Sequence, residues 1–403
     1  MIKPCISVFV FVALCTPAPA QTVPHPQWVG TWATSPYLAD GPANLRVLSG
    51  ATLREIAHIS IGGTQVRIRF TNAYGVDPLT ISDAHVALSA GGGSILPGSD
   101  HAITFGGANT VNVPPGAEIF SDPVSLQVAP LSNVAVSMYL PPQVMRAETI
   151  HVYGDQDNFL AEGDVAGSPE LEHATVIPSW YFFDGIDVAA APGSYSIVTI
   201  GDSITDGAYS TRNANGRWPD VLASRLQADS NHKNAGVLNA GIAGNRVVNE
   251  GTGPSALSRI DREVLSRSGV RYVIVLESIN DIGRLAYHPV PVDDVTAEEL
   301  EWAFRQIVDA AHEHGIKVIG ATLTPYGGAV AWSERGERVR ETLNNWIRAS
   351  GVFDGVADFD KITQDPANPT HFAAKYDSGD HLHPNDAGHQ AMGSGIDLSL
   401  FAQ

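Results

Sequence analysis

The sequence predicts a two-part α/β protein: an N-terminal β-sandwich of jelly-roll type, followed by a three-layer unit in which helices cover both faces of a parallel sheet. Three observations predict it. From about Trp28 to Pro142, short runs alternate polar and apolar residues between turns rich in Gly and Pro. After Pro192 the rhythm changes to continuous apolar runs separated by helical segments, the pattern of strands buried on both faces. The composition, 44% hydrophobic and 17% charged over 403 residues, supplies ample material for two cores without metal or disulfide staples.

The first twenty residues read as an export signal. Lys3 gives the positive start, Ile6 to Leu14 a short apolar run, and Ala18-Pro19-Ala20 a small-residue cleavage site, so cleavage after Ala20 and a secreted or periplasmic location are expected. The apolar run is too short to cross a bilayer as a helix, and no other run approaches ~20 residues. Both cysteines, Cys5 and Cys15, fall inside this segment. A disulfide framework and a thiol nucleophile are thereby excluded from the mature chain. The formal net charge of −19 repels phosphate backbones and anionic lipid surfaces, which argues against nucleic acid and membranes as partners. The oligomeric state is not legible.

Residues 21–150 form the expected β-module, with strands such as Gln65 to Phe70, Ala117 to Phe120, Val124 to Val128 and Asn133 to Leu140. Turns at Gly62-Gly63, Asn72 to Gly75, Gly91 to Gly93 and Pro114 to Gly116 separate them. Residues 151–192, rich in Gly, Ala and Pro, read as a connector ending in the aromatic run Trp180 to Phe183. Residues 193–403 form the α/β unit. Its strands are expected at Ser194 to Ile200, Gly236 to Ala240, Arg271 to Leu276, Ile316 to Thr322 and Val352 to Ala357. Helices are expected at Trp218 to Gln227, Ser255 to Leu265, Ala297 to His314, Glu334 to Ala349 and Asn385 to Asp397. In such sheets ligands bind beyond the carboxyl ends of the strands, so the loops there are where chemistry belongs.

The first of these loops is Gly201-Asp202-Ser203-Ile204-Thr205-Asp206-Gly207. A serine at that strand-to-helix turn sits beside free backbone amides, which suits a nucleophile and equally suits a helix cap. A hydroxyl nucleophile needs a base and the base an orienting group. Asp380 and His383, three apart in Ser378-Gly379-Asp380-His381-Leu382-His383-Pro384-Asn385, can supply both, and Asn385 can cap the following helix in their place. Oxyanion donors are available from the Ser203 amide, from Gly241 in Asn239-Ala240-Gly241, and from the Asn280 side chain in Ile279-Asn280-Asp281.

Taken in order, the Gly-Asp-Ser, Asn-Ala-Gly, Ile-Asn-Asp and Asp-x-x-His segments resemble the SGNH (GDSL) hydrolase superfamily over about Ser194 to Leu400. The resemblance implies a flavodoxin-like domain with a five-stranded parallel sheet and no cofactor or metal. It also implies Ser203 as nucleophile, Asp380 and His383 as the rest of a triad, and Ser203, Gly241 and Asn280 as the oxyanion hole. A narrower resemblance rests on Trp28-Val29-Gly30-Thr31-Trp32, Gly244-Asn245-Arg246, Thr322 to Tyr326 and Tyr376 to Asp380. It is to two-domain acylhydrolases associated with plant-polysaccharide deacylation. That implies small-molecule or glycan esters as substrates and a secreted short-chain esterase as the activity. Ser278 stands where the family's third block has glycine. Asp202, Asn245, Arg246, Ser278 and Trp332 are candidates for contacting substrate.

Three other readings share parts of this pattern. Acyl transfer would use the same residues as hydrolysis. A glycan-binding protein would keep the β-module and lose the chemistry. A metal-dependent hydrolase would draw on the crowding of Asp380, His381, His383, Asp386 and His389, but no supporting ligand pattern from a second element is evident. Trp28, Trp32 and Trp302 read as core positions rather than sugar platforms.

Overall fold

The computed structural model describes residues 26–39, 48–287 and 294–402. The expected export signal, with its two cysteines, lies outside the described residues.

Alternation of polar and apolar residues gives each N-terminal strand one face to bury, and two antiparallel sheets close on those faces. One sheet orders Trp28–Ala33, Phe183–Ala189, Val66–Thr71 and Glu118–Phe120. The other runs Thr175–Ile177, Asn158–Glu162, Ala51–His58, Asn133–Leu140, Asp83–Gly91 and Ser94–Ile95. Between them lie Leu53, Ile68, Phe70, Val86, Val136, Met138 and Ile186, all fully buried. The segment 151–192 differs from the expected connector. It supplies Asn158–Glu162 and Thr175–Ile177 to one sheet, and Phe183–Ala189 lies inside the other between Trp28–Ala33 and Val66–Thr71. Its Gly, Ala and Pro residues are turns between short strands whose partners are far away in the chain, so no local periodicity reveals them.

The α/β unit carries five parallel strands in the spatial order Ala235–Gly241, Tyr195–Gly201, Val270–Leu276, Lys317–Ala321 and Gly355–Ala357. In chain order this is 2-1-3-4-5, so the connection changes direction beside the first strand and opens a crevice at its carboxyl end. Ser203, opening helix Ser203–Asp206, follows that strand, and Asn280, in the first turn of helix Ile279–Tyr287, follows the third. The expected helix Ser255 to Leu265 is α-helical over Ala256–Ile260 and continues as a π-turn over Asp261–Leu265. The other expected helices and strands of this unit are present to within a few residues, with the fifth strand shortened at its start, while helices Ile279–Tyr287 and Phe359–Thr363 and the hairpin Gln364–Phe372 were not expected.

The two units share a polar, buried seam. Strand Trp28–Ala33 lies along the second parallel strand. A Cβ on Gly236 would stand 2.4 Å from the Gly30 carbonyl oxygen, so only glycine allows that approach. Arg267 of the α/β unit donates to Asp184 of the sandwich at 3.0 Å and to Glu263 at 3.0 Å, and Glu263 also accepts from Ser35. All four are buried. Burial pushes up the Asp184 carboxyl, against the pull of Arg267, to about 7. Glu263 is opposed by burial too, but Arg267, Arg262 and Arg259 hold it down to about 2.

Candidate active site

Asp202 caps the helix Ser203–Asp206 by accepting from the Ile204 amide at 2.9 Å, which frees Ser203 from that task. The Ser203 Oγ lies 2.8 Å from His383 Nε2, and His383 Nδ1 lies 2.6 Å from Asp380 Oδ2. With Asp380 accepting at Nδ1, the proton sits there and Nε2 is left to accept from the serine. The second oxygen of Asp380 accepts from Ser378 Oγ and from the amides of Leu382 and His383, each at 2.9 Å. Burial raises this carboxyl, but the hydrogen bonds from the His383 ring and the two amides outweigh it and bring it to about 2. Asn385 caps the final helix by accepting from Gly388, so neither Asp380 nor His383 is needed there.

These groups open into a cleft of about 420 Å³. Tyr153, Asp155, Ser203, Asp206, Ala208 and Tyr209 line one part of it, and Ala243, Gly244, Asn280, Leu382 and His383 the rest. The oxyanion-side donors need one correction. Gly241 is still a strand residue, paired with Gly201, and its amide donates to Asn239 Oδ1 at 2.9 Å. A Cβ there would meet the Asp206 nitrogen at 2.2 Å, so this glycine exists to let the nucleophile helix pack on the sheet. The glycine that reaches the cleft is Gly244, at φ +81° in the turn beyond the strand. Among the described residues, no partner engages the N–H groups of Ser203 or Gly244. Asn280 donates once to the Asn245 carbonyl at 2.9 Å, which leaves a second N–H for the cleft. Both Gly241 and Gly244 are visible in the sequence, but which one faces the pocket depends on where the strand stops.

The residues expected to contact substrate do not line the cleft. Asp202 is buried as the helix cap, and burial lifts its carboxyl to about 7. Asn245 is fully buried, donating to the carbonyls of Thr252 and Pro254 and accepting from Arg259. Arg246 is buried and donates to the Glu250 carbonyl. Ser278 is fully buried at φ +98°, and its Oγ has no partner among the described residues. Trp332 is partly exposed but does not line the cleft. In their place stand Tyr153, Asp155 and Tyr209, which the sequence reading missed. Tyr153 and Tyr209 are 61% and 57% exposed at the rim, and the Tyr209 ring lies 5.3 Å from that of His383. Asp155 and Tyr209 both hold positive φ, at 44° and 65°, a conformation that side-chain-bearing residues adopt at a cost of order 1–3 kcal/mol. Strain of that kind is the one local signal, and it is invisible in sequence.

The crowded acids and histidines of the C-terminal loop disperse to separate partners. His381 pairs with Asp377, Asp386 accepts from the Thr211 amide, and buried His389 faces the Ala208 carbonyl. Among the described residues, no group of three or more His, Cys, Asp or Glu is disposed to hold a metal.

Residues 199–391 match the model of the GDSL-like Lipase/Acylhydrolase family. Among solved structures, the chain is similar to an alpha/beta hydrolase enzyme from the metagenome of Lake Arreo, Spain, at 23% identity and a TM-score of 0.41, covering 52% of this chain and 95% of that one. It is also similar to an acetyl xylan esterase from Geobacillus stearothermophilus, at 21% identity and a TM-score of 0.41, covering 52% and 95%. A GDSL-like lipase from Bacteroides thetaiotaomicron matches at 18% identity and a TM-score of 0.36, covering 51% and 87%. No curated protein matches the chain.

Proposed function

Because residues 199–391 form a GDSL-like lipase/acylhydrolase domain, we propose that the protein is a serine esterase that hydrolyses short-chain carboxylic esters, with O-acetyl groups on plant polysaccharides or oligosaccharides as its natural substrates. The observation that carries this reading is the continuous Ser203–His383–Asp380 chain at 2.8 and 2.6 Å. Ser203 attacks the ester carbonyl while His383 takes its proton. The tetrahedral oxygen is received by the amides of Ser203 and Gly244 and by the Asn280 side chain, each such donor contributing ~3 kcal/mol to barrier reduction. His383 returns the proton to the departing alcohol. Water, deprotonated by the same ring, then releases the acid from the acyl-serine. Asp380 holds the tautomer and stabilises the imidazolium.

The choice of substrate rests on the cleft walls. Ala208, Ala243 and Leu382 give small apolar surfaces, which suit a short acyl group. Tyr153 and Tyr209 offer exposed rings, and Asp155 offers carboxylate oxygens to hydroxyl donors. Among the described residues no Lys or Arg lines the cleft, which favours neutral alcohols over anionic ones.

The test is a panel of chromogenic esters of increasing acyl length together with acetylated xylan, run on wild type and on Ser203→Ala. Turnover that falls with chain length, releases acetate from xylan and vanishes in the variant is the expected result. Undiminished hydrolysis by Ser203→Ala would overturn the reading, and chelator sensitivity in that case would redirect it to a metal. We also propose export, supported by the charged, apolar and small-residue order of residues 1–20. Mature protein recovered outside the cytoplasm should begin at Gln21.

A further inference from the structure

His151 belongs to the N-terminal β unit, in strand Thr149–His151 of a small three-stranded sheet with Trp180–Tyr181 and Tyr37–Leu38, and is 2% exposed. Three oxygens surround its two ring nitrogens. Nδ1 is 2.9 Å from the Ser35 carbonyl oxygen, and Nε2 is 3.1 Å from the Tyr153 carbonyl oxygen and 3.0 Å from Asp206 Oδ1. A backbone carbonyl can only accept, so satisfying both ends of the ring requires a proton on each nitrogen. A ring with two N–H groups is an imidazolium, and Asp206 is its counter-ion. The rings of Trp180 and Tyr37 pack around it, at 5.6 and 6.5 Å between centroids. In so dry a setting the pair is held tightly, because a lone buried charge is costly.

The other end of this ion pair reaches the reaction site. Asp206 closes the helix that begins with Ser203, and its second oxygen, Oδ2, accepts from the Ala243 amide at 2.9 Å. Ala243 precedes Gly244, the glycine whose free amide faces the cleft. One carboxylate thus ties the nucleophile helix to the turn that presents that amide, and the N-terminal β unit supplies the charge that fixes the carboxylate. We propose that His151 is a positioning residue for acyl transfer, acting through Asp206 to set the Ala243–Gly244 turn against the developing oxyanion. This rests on the serine-esterase reading above and adds that the N-terminal β unit is part of the catalytic apparatus.

A displacement of ~1 Å at such a donor costs up to about 100-fold in rate, while leaving ground-state binding nearly untouched. The test therefore uses full-length His151→Ala and His151→Gln with 4-nitrophenyl acetate. Active sites are counted by burst titration with a serine-reactive phosphonate, and an alkyl boronic acid serves as a probe of the tetrahedral geometry. For His151→Ala we expect kcat per titrated site to fall about 10- to 100-fold with KM within about twofold, and the boronate Ki to rise by a similar factor. His151→Gln, which keeps one donor toward Asp206 without the charge, should recover part of both. Asp206→Asn should behave as His151→Ala does, and the double variant should lose little more than either single one.

If kcat per titrated site and the boronate Ki stay at wild-type values while only the active fraction or the melting temperature falls, His151 is structural and the proposal fails. A neutral His151 ring, read by its NMR nitrogen shifts at a pH where an ordinary histidine is half charged, would also overturn it. Failure of the underlying reading is separable, since it would show as hydrolysis that survives Ser203→Ala.

Discussion

Asp380 receives hydrogen bonds from the His383 ring, the Ser378 hydroxyl and two backbone amides, and its carboxyl is held at about 2. Its carboxyl therefore stays ionised well below the usual carboxylate range, and its protonation does not set the acid limit of activity. Asp380→Asn replaces an acceptor with a donor at Nδ1 and forces the wrong tautomer, so kcat should fall by about 10³- to 10⁴-fold with KM little changed. Ser278 poses the opposite case, a residue whose own conformation is unfavourable. At φ +98° and with a buried, unpartnered hydroxyl, it costs of order 1–3 kcal/mol, partly offset because glycine there would carry more chain entropy when unfolded. Ser278→Gly is expected to stabilise the fold by about 1 kcal/mol in denaturant titration, with kcat within about twofold because the side chain does not reach the cleft. The hydrogen-bonded Ser203, His383 and Asp380 were legible from the order of their segments at successive strand ends, since a serine after Gly-Asp taken alone equally suits a helix cap. Asp202, Asn245, Arg246 and Ser278 occupy the same loops but point inward, and no residue type reveals which way a loop turns its side chains.

At the scale of elements, the final helix Asp386–Gly395 does more than follow the catalytic loop. Its His389 is buried, with Nε2 on the Ala208 carbonyl, and burial lowers its pKa from 6.5 to about 4. The folded state thus binds fewer protons at this site than the unfolded chain does between those two values. Its contribution is fully present above about 6.5, declines as pH falls, and is exhausted near 4. Across that window this histidine adds an upward slope to the dependence of melting temperature on pH, and His389→Gln should lower that slope relative to wild type. A variant with the wild-type slope would show that the histidine is not responsible. Asp202 and Asp281, raised by burial to about 7 and about 6, act with the opposite sign, so the comparison between variant and wild type is the informative one. Strand and helix positions in this unit were legible because each element carries its own periodicity. Gly241 and Gly244 show the limit: the strand's carboxyl end falls at Gly241, in register with Gly201, and that register is set by a neighbouring strand.

Across the whole molecule, the sandwich and the α/β unit are joined by charges that neither could bury alone. Arg267 lies between Asp184 of one unit and Glu263 of the other. Arg267→Ala leaves two buried carboxylates short of their partner and should destabilise the protein by about 3–5 kcal/mol. Because the network straddles the seam, calorimetry should show one cooperative transition shifted downward. Two transitions, with that of the α/β unit unmoved, would refute this coupling. The same packing brings Tyr153 and Asp155 of the N-terminal unit into the cleft and His151 beneath it. By itself the sequence determined the two-part α/β architecture, the order of strands and helices in the second unit, and the serine, histidine and aspartate of the site. Each of these rests on short-range pattern, where hydrophobic period and motif spacing lie within one stretch of chain. Only the tertiary structure decided that residues 151–192 are sheet and not connector, which glycine faces the reacting oxygen, and which side chains from the first unit wall the pocket of the second. Those outcomes follow from pairings between residues tens to more than a hundred positions apart, whose energies come from contacts that exist only once the chain has folded.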